Sequence, residues 1–169
     1  MTTFEIPAWA QNGLVDRGKG KFVHGDVPAG ETALVVVDMQ NYFLDVDSPA
    51  HVPKAVQIVP VINDVARRLR SAGGHVVWIR TMYTKEAEAS ISHFHHILLN
   101  PAAYEYRCNA LTEGSEGSKL WSDLEVAPED AVLKKTRFSA FSGDETEIDA
   151  MLRGRGVSGL PPEKWSSLK

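Results

Sequence analysis

Between Ala33 and Val37 the chain reads ALVVV, an unbroken apolar run rich in β-branched residues that ends on Asp38. A run of that length and composition predicts a strand buried on both faces, as in a parallel sheet, rather than an alternating surface strand. Over residues 53–72 the pattern changes to helical spacing, with Val56, Val59, Ile62, Val65, Ala66 and Leu69 on one face. Arg67, Arg68 and Arg70 gather at the end of that segment, where cations suit the helix dipole, and Gly73-Gly74 marks its stop. HVVWIRT (75–81) predicts a second buried strand, which completes a βαβ unit with short connections. Residues 82–128 carry short helical patterns and the glycine-bearing segment EGSEGS, without one dominant period. DAVLKK (130–135) predicts a third strand, TRFSAF a turn, and DETEIDAMLRGRG an amphipathic helix with Ile148, Met151 and Leu152 on its apolar face. The predicted class is α/β with a parallel sheet.

The flanks read differently. Residues 1–30, rich in Gly, Pro and isolated charges, predict an N-terminal arm, and the domain proper is expected over 31–157. After Val157 an α/β chain should supply another strand, but the sequence offers SGLPPEKWSSLK, whose Pro161-Pro162 cannot sit in a central strand. Residues 158–169 are therefore expected to form a divergent, disordered tail. A length of 169 residues allows one domain. With 43% apolar and 24% charged residues the composition is that of an ordinary globular protein, and a net charge of -4 argues against nucleic acid as a partner. The single cysteine, Cys108, excludes an internal disulfide and fits a reducing compartment. No basic-then-apolar leader pattern opens the chain, and the longest apolar run falls far short of a membrane span. A cytoplasmic protein is expected.

Two residues stand out chemically. Asp38 closes the first strand, and open α/β sheets bind ligands beyond the carboxyl ends of their strands, so it is placed to act as a general base. The alternative is an ordinary N-cap or loop aspartate. Lys135 closes the third strand at the same sheet edge, where it can stabilise an ionised Asp38 and orient a substrate. The neighbouring Lys134 keeps open the alternative of a plain solvated lysine. Asn41, Tyr42 and Arg137 are candidates for substrate contact, while Trp78 and Phe43 read as core or pocket wall. His93, His95 and His96 form either a metal site or a polar loop at a substrate entry, and the loop is the expectation.

TALVVVDMQNYFL and VLKKTRFSAF, with LTEGSEGSKL between them, resemble the N-terminal signature segments of the isochorismatase-like cysteine hydrolases over about Thr32 to Val157. That superfamily includes ureidoacrylate and N-carbamoylsarcosine amidohydrolases. The resemblance implies a Rossmann-like three-layer α/β/α fold with a mainly parallel six-stranded sheet, here incomplete at its C-terminal strands and helices. It also implies an Asp–Lys–Cys mechanism, with the Asp at Asp38 and the Lys at Lys135. Family members are commonly oligomeric. In the family the cysteine follows the strand after the LRGRGV helix, in a segment of the form GVxTNxCV at a helix N-terminus, which lowers a thiol pKa. Nothing in SGLPPEKWSSLK resembles that segment, and Cys108 in YEYRCNAL lies far from it, so the nucleophile is expected to be absent. Related nicotinamidases place metal ligands after the first strand, but Asp45, Asp47 and His51 do not match that spacing, so neither a metal nor another cofactor is expected. Two functions follow. The lineage is that of a hydrolase cleaving a C–N bond of a small amide or ureido compound, whereas this chain is a catalytically inactive form binding a small molecule, another copy or a full-length relative. The abrupt change at Val157 is the sign expected of alternative splicing, a frameshift or an incomplete gene model.

Overall fold

The computed structural model describes residues 27–91, 94–142 and 147–157. The expectations for the arm before residue 27 and for the 158–169 tail lie outside them. After a single 3₁₀ turn (Ala29–Glu31) come β1 (Ala33–Val37), α1 (Asn41–Leu44), α2 (Pro53–Ser71) and β2 (His75–Thr81). Three short helices follow, α3 (Lys85–Ile91), α4 (Phe94–Leu98) and α5 (Pro101–Ala110), and then β3 (Ala131–Lys135) and α6 (Glu147–Gly154). The strands form a parallel sheet in the order β1-β2-β3, with Val37 opposite Ile79 and Thr81 opposite Lys135. The class is α/β with a parallel sheet. Among the described residues no helix is long and apolar enough to cross a membrane.

β2 is the spine. Its side chains alternate between the faces, so Val76 and Trp78 join Val36, Val59 and Ala66 on the α2 side, while Val77 and Ile79 meet Leu133 and Ile148 on the α6 side. Helices thus cover both faces of the sheet, the arrangement a parallel sheet requires. Burial corrects the reading of β1. Only Val36 is fully buried and Val37 is 45% exposed, because β1 pairs with β2 alone among the described strands. The apolar face of α2 is corrected as well. Val65 is exposed, and Asn63 points inward, donating to the Asp123 carbonyl at 2.8 Å and accepting from the Glu125 N–H at 3.0 Å.

The glycines at the end of α2 have distinct roles. Gly73 sits at φ +86°, the left-handed region that terminates helices, and a Cβ on Gly74 would lie 2.8 Å from the Ala29 carbonyl oxygen. Just before β3, Asp130 gathers the α2 face. It accepts from Arg70 Nη2 and from Trp78 Nε1, each at 2.7 Å, and from the Ala127 N–H at 2.9 Å. Burial pushes the Asp130 carboxyl up, but the bonds from Arg70, Trp78 and Ala127 outweigh it and hold the group below the usual carboxylate range.

Removing one partner of this buried pair, by Asp130→Ala, should cost roughly 3–5 kcal/mol in denaturant unfolding, since Arg70 and Trp78 Nε1 lose their acceptor. Because the folded-state pKa is depressed, the stabilisation is complete above the unfolded value of about 4 and is lost as pH falls through the folded value. Asp130→Asn should flatten that acid limb. In hydrogen exchange, β1 amides should exchange faster than those of β2, because an edge strand opens with fewer contacts broken. Equal protection of 33–37 and 76–80 in a demonstrated monomer would contradict this.

Candidate active site

Parallel strands end on the same side, and this one fact assembles the site. Asp38 follows β1, Thr81 ends β2 and Lys135 ends β3. Lys135 Nζ lies 3.2 Å from Asp38 Oδ2, and the Thr81 hydroxyl donates to Asp38 Oδ1 at 2.6 Å. The lysine side chain is 6% exposed and also donates to the Arg137 carbonyl at 3.4 Å. Strand alternation separates it from Lys134, which is exposed and pairs with Glu113 at 2.6 Å. The solvated-lysine alternative therefore describes Lys134 and not Lys135.

Asp38 departs from strand geometry at φ +63°, the one positive φ outside glycine among the described residues. An L-residue in that region costs on the order of 1–2 kcal/mol, and the surroundings hold it there. Its N–H donates to the Ile79 carbonyl at 2.9 Å, and its own carbonyl accepts from Gln40 N–H at 2.9 Å. Gln40, wholly buried, is the staple. Its Oε1 accepts from the Thr81 N–H at 2.6 Å, and its Nε2 donates to the carbonyls of Thr81 at 3.0 Å and Ser118 at 3.1 Å. The loop that supplies Ser118 fits closely, since a Cβ on Gly117 would fall 2.6 Å from the Ala110 carbonyl oxygen. Gln40 thereby fixes the Thr81 backbone and sets the hydroxyl that holds Asp38.

A cavity of about 320 Å³ opens on the pair. Asp38, Lys135, Tyr42, Phe43, Arg137 and Thr81 line it. Burial pushes the Tyr42 hydroxyl above its ordinary value, against the pull of the Arg107 cation nearby. Asn41 is placed differently, with its amide donating to Glu116 O and Oε1, both at 3.1 Å, and it is not among the lining residues. Trp78 is wholly buried in the core.

Of the three histidines, His93 lies outside the described residues. His95 also faces the cavity, and its Nδ1 is 3.0 Å from Glu88 Oε1. His96 packs on the Tyr104 ring at 4.4 Å. Asp45 accepts from the Asp47 N–H at 3.0 Å, while His51 Nδ1 is buried without a hydrogen-bond partner. Among the described residues no three His, Cys, Asp or Glu come together to hold a metal. Half-buried Cys108 lies on α5 and does not line the cavity.

The isochorismatase domain matches residues 32–160. The chain belongs to the isochorismatase family. Curated relatives include the ureidoacrylate amidohydrolase RutB of Acinetobacter baylyi, 28% identical over 142 residues, with 77% of this chain and 57% of that enzyme covered. A probable inactive nicotinamidase of Arabidopsis thaliana is 28% identical over 131 residues, covering 76% of this chain and 63% of that protein. An N-carbamoylsarcosine amidase from Thermoplasma acidophilum superposes with a TM-score of 0.56 at 26% identity, over 74% of this chain and 62% of the enzyme. This isochorismatase-family chain thus spans 57–63% of the length of those two curated relatives.

Sequence patterning singles out neither Thr81 nor the Glu88–Arg107 pair, and it does not give Gln40 or His95 the bonds they make in the fold. For Thr81 a signal existed, because it closes β2 at the same edge as Asp38 and Lys135. Gln40→Leu is expected to cost on the order of 1–3 kcal/mol in urea unfolding, because the Thr81 N–H is left buried without an acceptor. Stability unchanged by that substitution would show that the staple holds nothing.

Proposed function

We propose that this domain carries the acid–base half of a hydrolytic site for the C–N bond of a small amide or ureido compound. Asp38 serves as general base, withdrawing a proton from the attacking group, and Lys135 pairs with its carboxylate and orients the substrate. Tyr42 and Arg137 contact the substrate along the wall. The observation that carries this reading is the pairing of buried Lys135 with half-buried Asp38 where both open on a ligand-sized cavity. Membership in the family, with amidohydrolases among its relatives, supports the class of bond.

A second reading rests on a separate observation. The chain holds one cysteine, and it does not line the cavity. Without a thiol in reach, Asp38 has no sulfur nucleophile to deprotonate, so the 169 residues bind the amide without turning it over. A second chain, either another copy or a full-length relative, has a place to pair at the β1 edge.

The test is a panel of small amides and ureido compounds, assayed for binding and for turnover with and without iodoacetamide. Saturable binding without turnover is expected, weakened about tenfold or more in Lys135→Met, which removes a charged hydrogen-bond donor. Turnover abolished by alkylation and by Cys108→Ala would make Cys108 the nucleophile and overturn the assignment. In any longer form of the chain with a thiol at the cavity, Asp38→Asn should slow the chemical step by at least ~100-fold. An unchanged kcat would remove Asp38 from the mechanism.

A further inference from the structure

The two outer strands of the sheet are not alike. β3 carries the exposed Lys134, paired with Glu113, and a charged side chain of that kind discourages a further strand from joining. β1 carries no charge and no proline between Ala33 and Val37. Its register with β2 is unbroken, and among the described strands it pairs with β2 alone.

The hydrogen-bond pattern fixes which backbone groups the β1 edge offers. A strand bonds to one neighbour through alternate residues, and the residues between turn both N–H and C=O the other way. The Thr32 carbonyl accepts from the His75 N–H, and the Asp38 N–H donates to the Ile79 carbonyl, each at 2.9 Å. With Ala33 opposite His75, Val35 opposite Val77 and Val37 opposite Ile79, the even-numbered residues from 32 to 38 are those that bond to β2. Ala33, Val35 and Val37 therefore turn their N–H and C=O groups outward, and among the described residues these groups bond to nothing else. The side chains of Ala33 and Val35 lie on the α6 side of the sheet, and that of Val37 is exposed.

That set is self-complementary. Turned about a two-fold axis at Val35, a second β1 places Ala33 opposite Val37 and Val35 opposite its own copy, and each pair exchanges both of its hydrogen bonds. Sliding the strands by one residue sets outward groups against residues already bonded to β2, and sliding by two loses one pair. Opposed side chains fall on one face, so the second copy brings Ala33 beside the exposed Val37. The symmetry sets no charge of β1 against itself, because the strand has none.

We infer that β1 is a homodimer interface, pairing antiparallel with β1 of a second copy about Val35 and joining two three-stranded sheets into one. The inference rests on the proposed reading of the β1 edge as a place for a second chain, and it names that chain, its direction and its register. A second copy suits the edge because every outward donor meets an acceptor by symmetry.

The experiment uses the full 169-residue protein. Sedimentation velocity over a range of concentrations is expected to show a reversible monomer–dimer equilibrium, with the Val35 and Val37 amides gaining exchange protection as the dimer fills. Val37→Lys, which adds an edge lysine at an exposed position, should weaken dimerisation at least about tenfold. Val132→Lys, at an exposed position of β3, should leave it unchanged. The register is read with Val35→Cys in a Cys108→Ala background. Opposed Cα atoms of a hydrogen-bonded antiparallel pair lie about 5.5 Å apart, within disulfide reach, so mild oxidation should link the two copies. Val37→Cys, displaced from the axis on both strands, should not link to itself. A dimer that is lost in Val37→Lys but does not cross-link through Val35→Cys would overturn this inference and leave the edge reading standing. A dimer indifferent to Val37→Lys, or weakened equally by Val132→Lys, would overturn it by placing the interface elsewhere. A protein monomeric at every concentration would also overturn it. In that monomer, unprotected Val35 and Val37 amides would leave the edge open to a relative, whereas protected ones would show another segment of the chain on it and overturn the edge reading as well.

Discussion

Everything at the site depends on the parallel pairing of three strands. Because β1, β2 and β3 run the same way, their last residues meet at one edge, and Asp38, Thr81 and Lys135 come into hydrogen-bonding range although up to 97 positions separate them in sequence. The pairing is held from both sides by the alternation of β2, which sends Trp78 to α2 and Ile79 to α6. An antiparallel partner at either side would carry its C-terminal residue to the far end of the sheet and dissolve the constellation.

Beneath that pairing the polar groups divide into two kinds. Gln40 and Asp130 are saturated, each meeting three backbone or side-chain groups, and they fix the frame. Saturation of buried polar groups is what confers rigidity, because every alternative arrangement leaves a donor or acceptor bare. Arg107 is of the other kind, a buried cation whose Nη1 has no acceptor.

The strands and the two amphipathic segments were legible because each writes a local pattern into the sequence, an apolar run or a helical period. The run 33–37, the helical face of 53–72 and the run 75–81 all specify their own structure locally. Asp38 and Lys135 were legible as strand-end residues, and the fold supplies the reason that Lys135 rather than Lys134 turns inward, since a one-residue shift in strand phase exchanges them. The residues 82–128 were not legible in the same way. Their helices are short, and Glu88 and Arg107 belong together only after α3 and α5 pack across 19 positions of chain. The overestimated burial of β1 has a similar origin, because a run of valines states that a strand wants cover and not how much it receives.

The backbone of Asp38 narrows what that position can hold. At φ +63° an ordinary side chain is strained, and glycine or asparagine relieves the strain most readily. Neither of those carries a charge to set against Lys135. Glutamate supplies the charge but lacks the short side chain that tolerates the left-handed turn, and its extra methylene displaces the oxygen that Thr81 meets at 2.6 Å. Conformation and charge are thus demanded of the same residue, and aspartate answers both. Drift at this position has no gentle intermediate: a substitution that eases the fold removes the anion, and one that keeps the anion strains the fold.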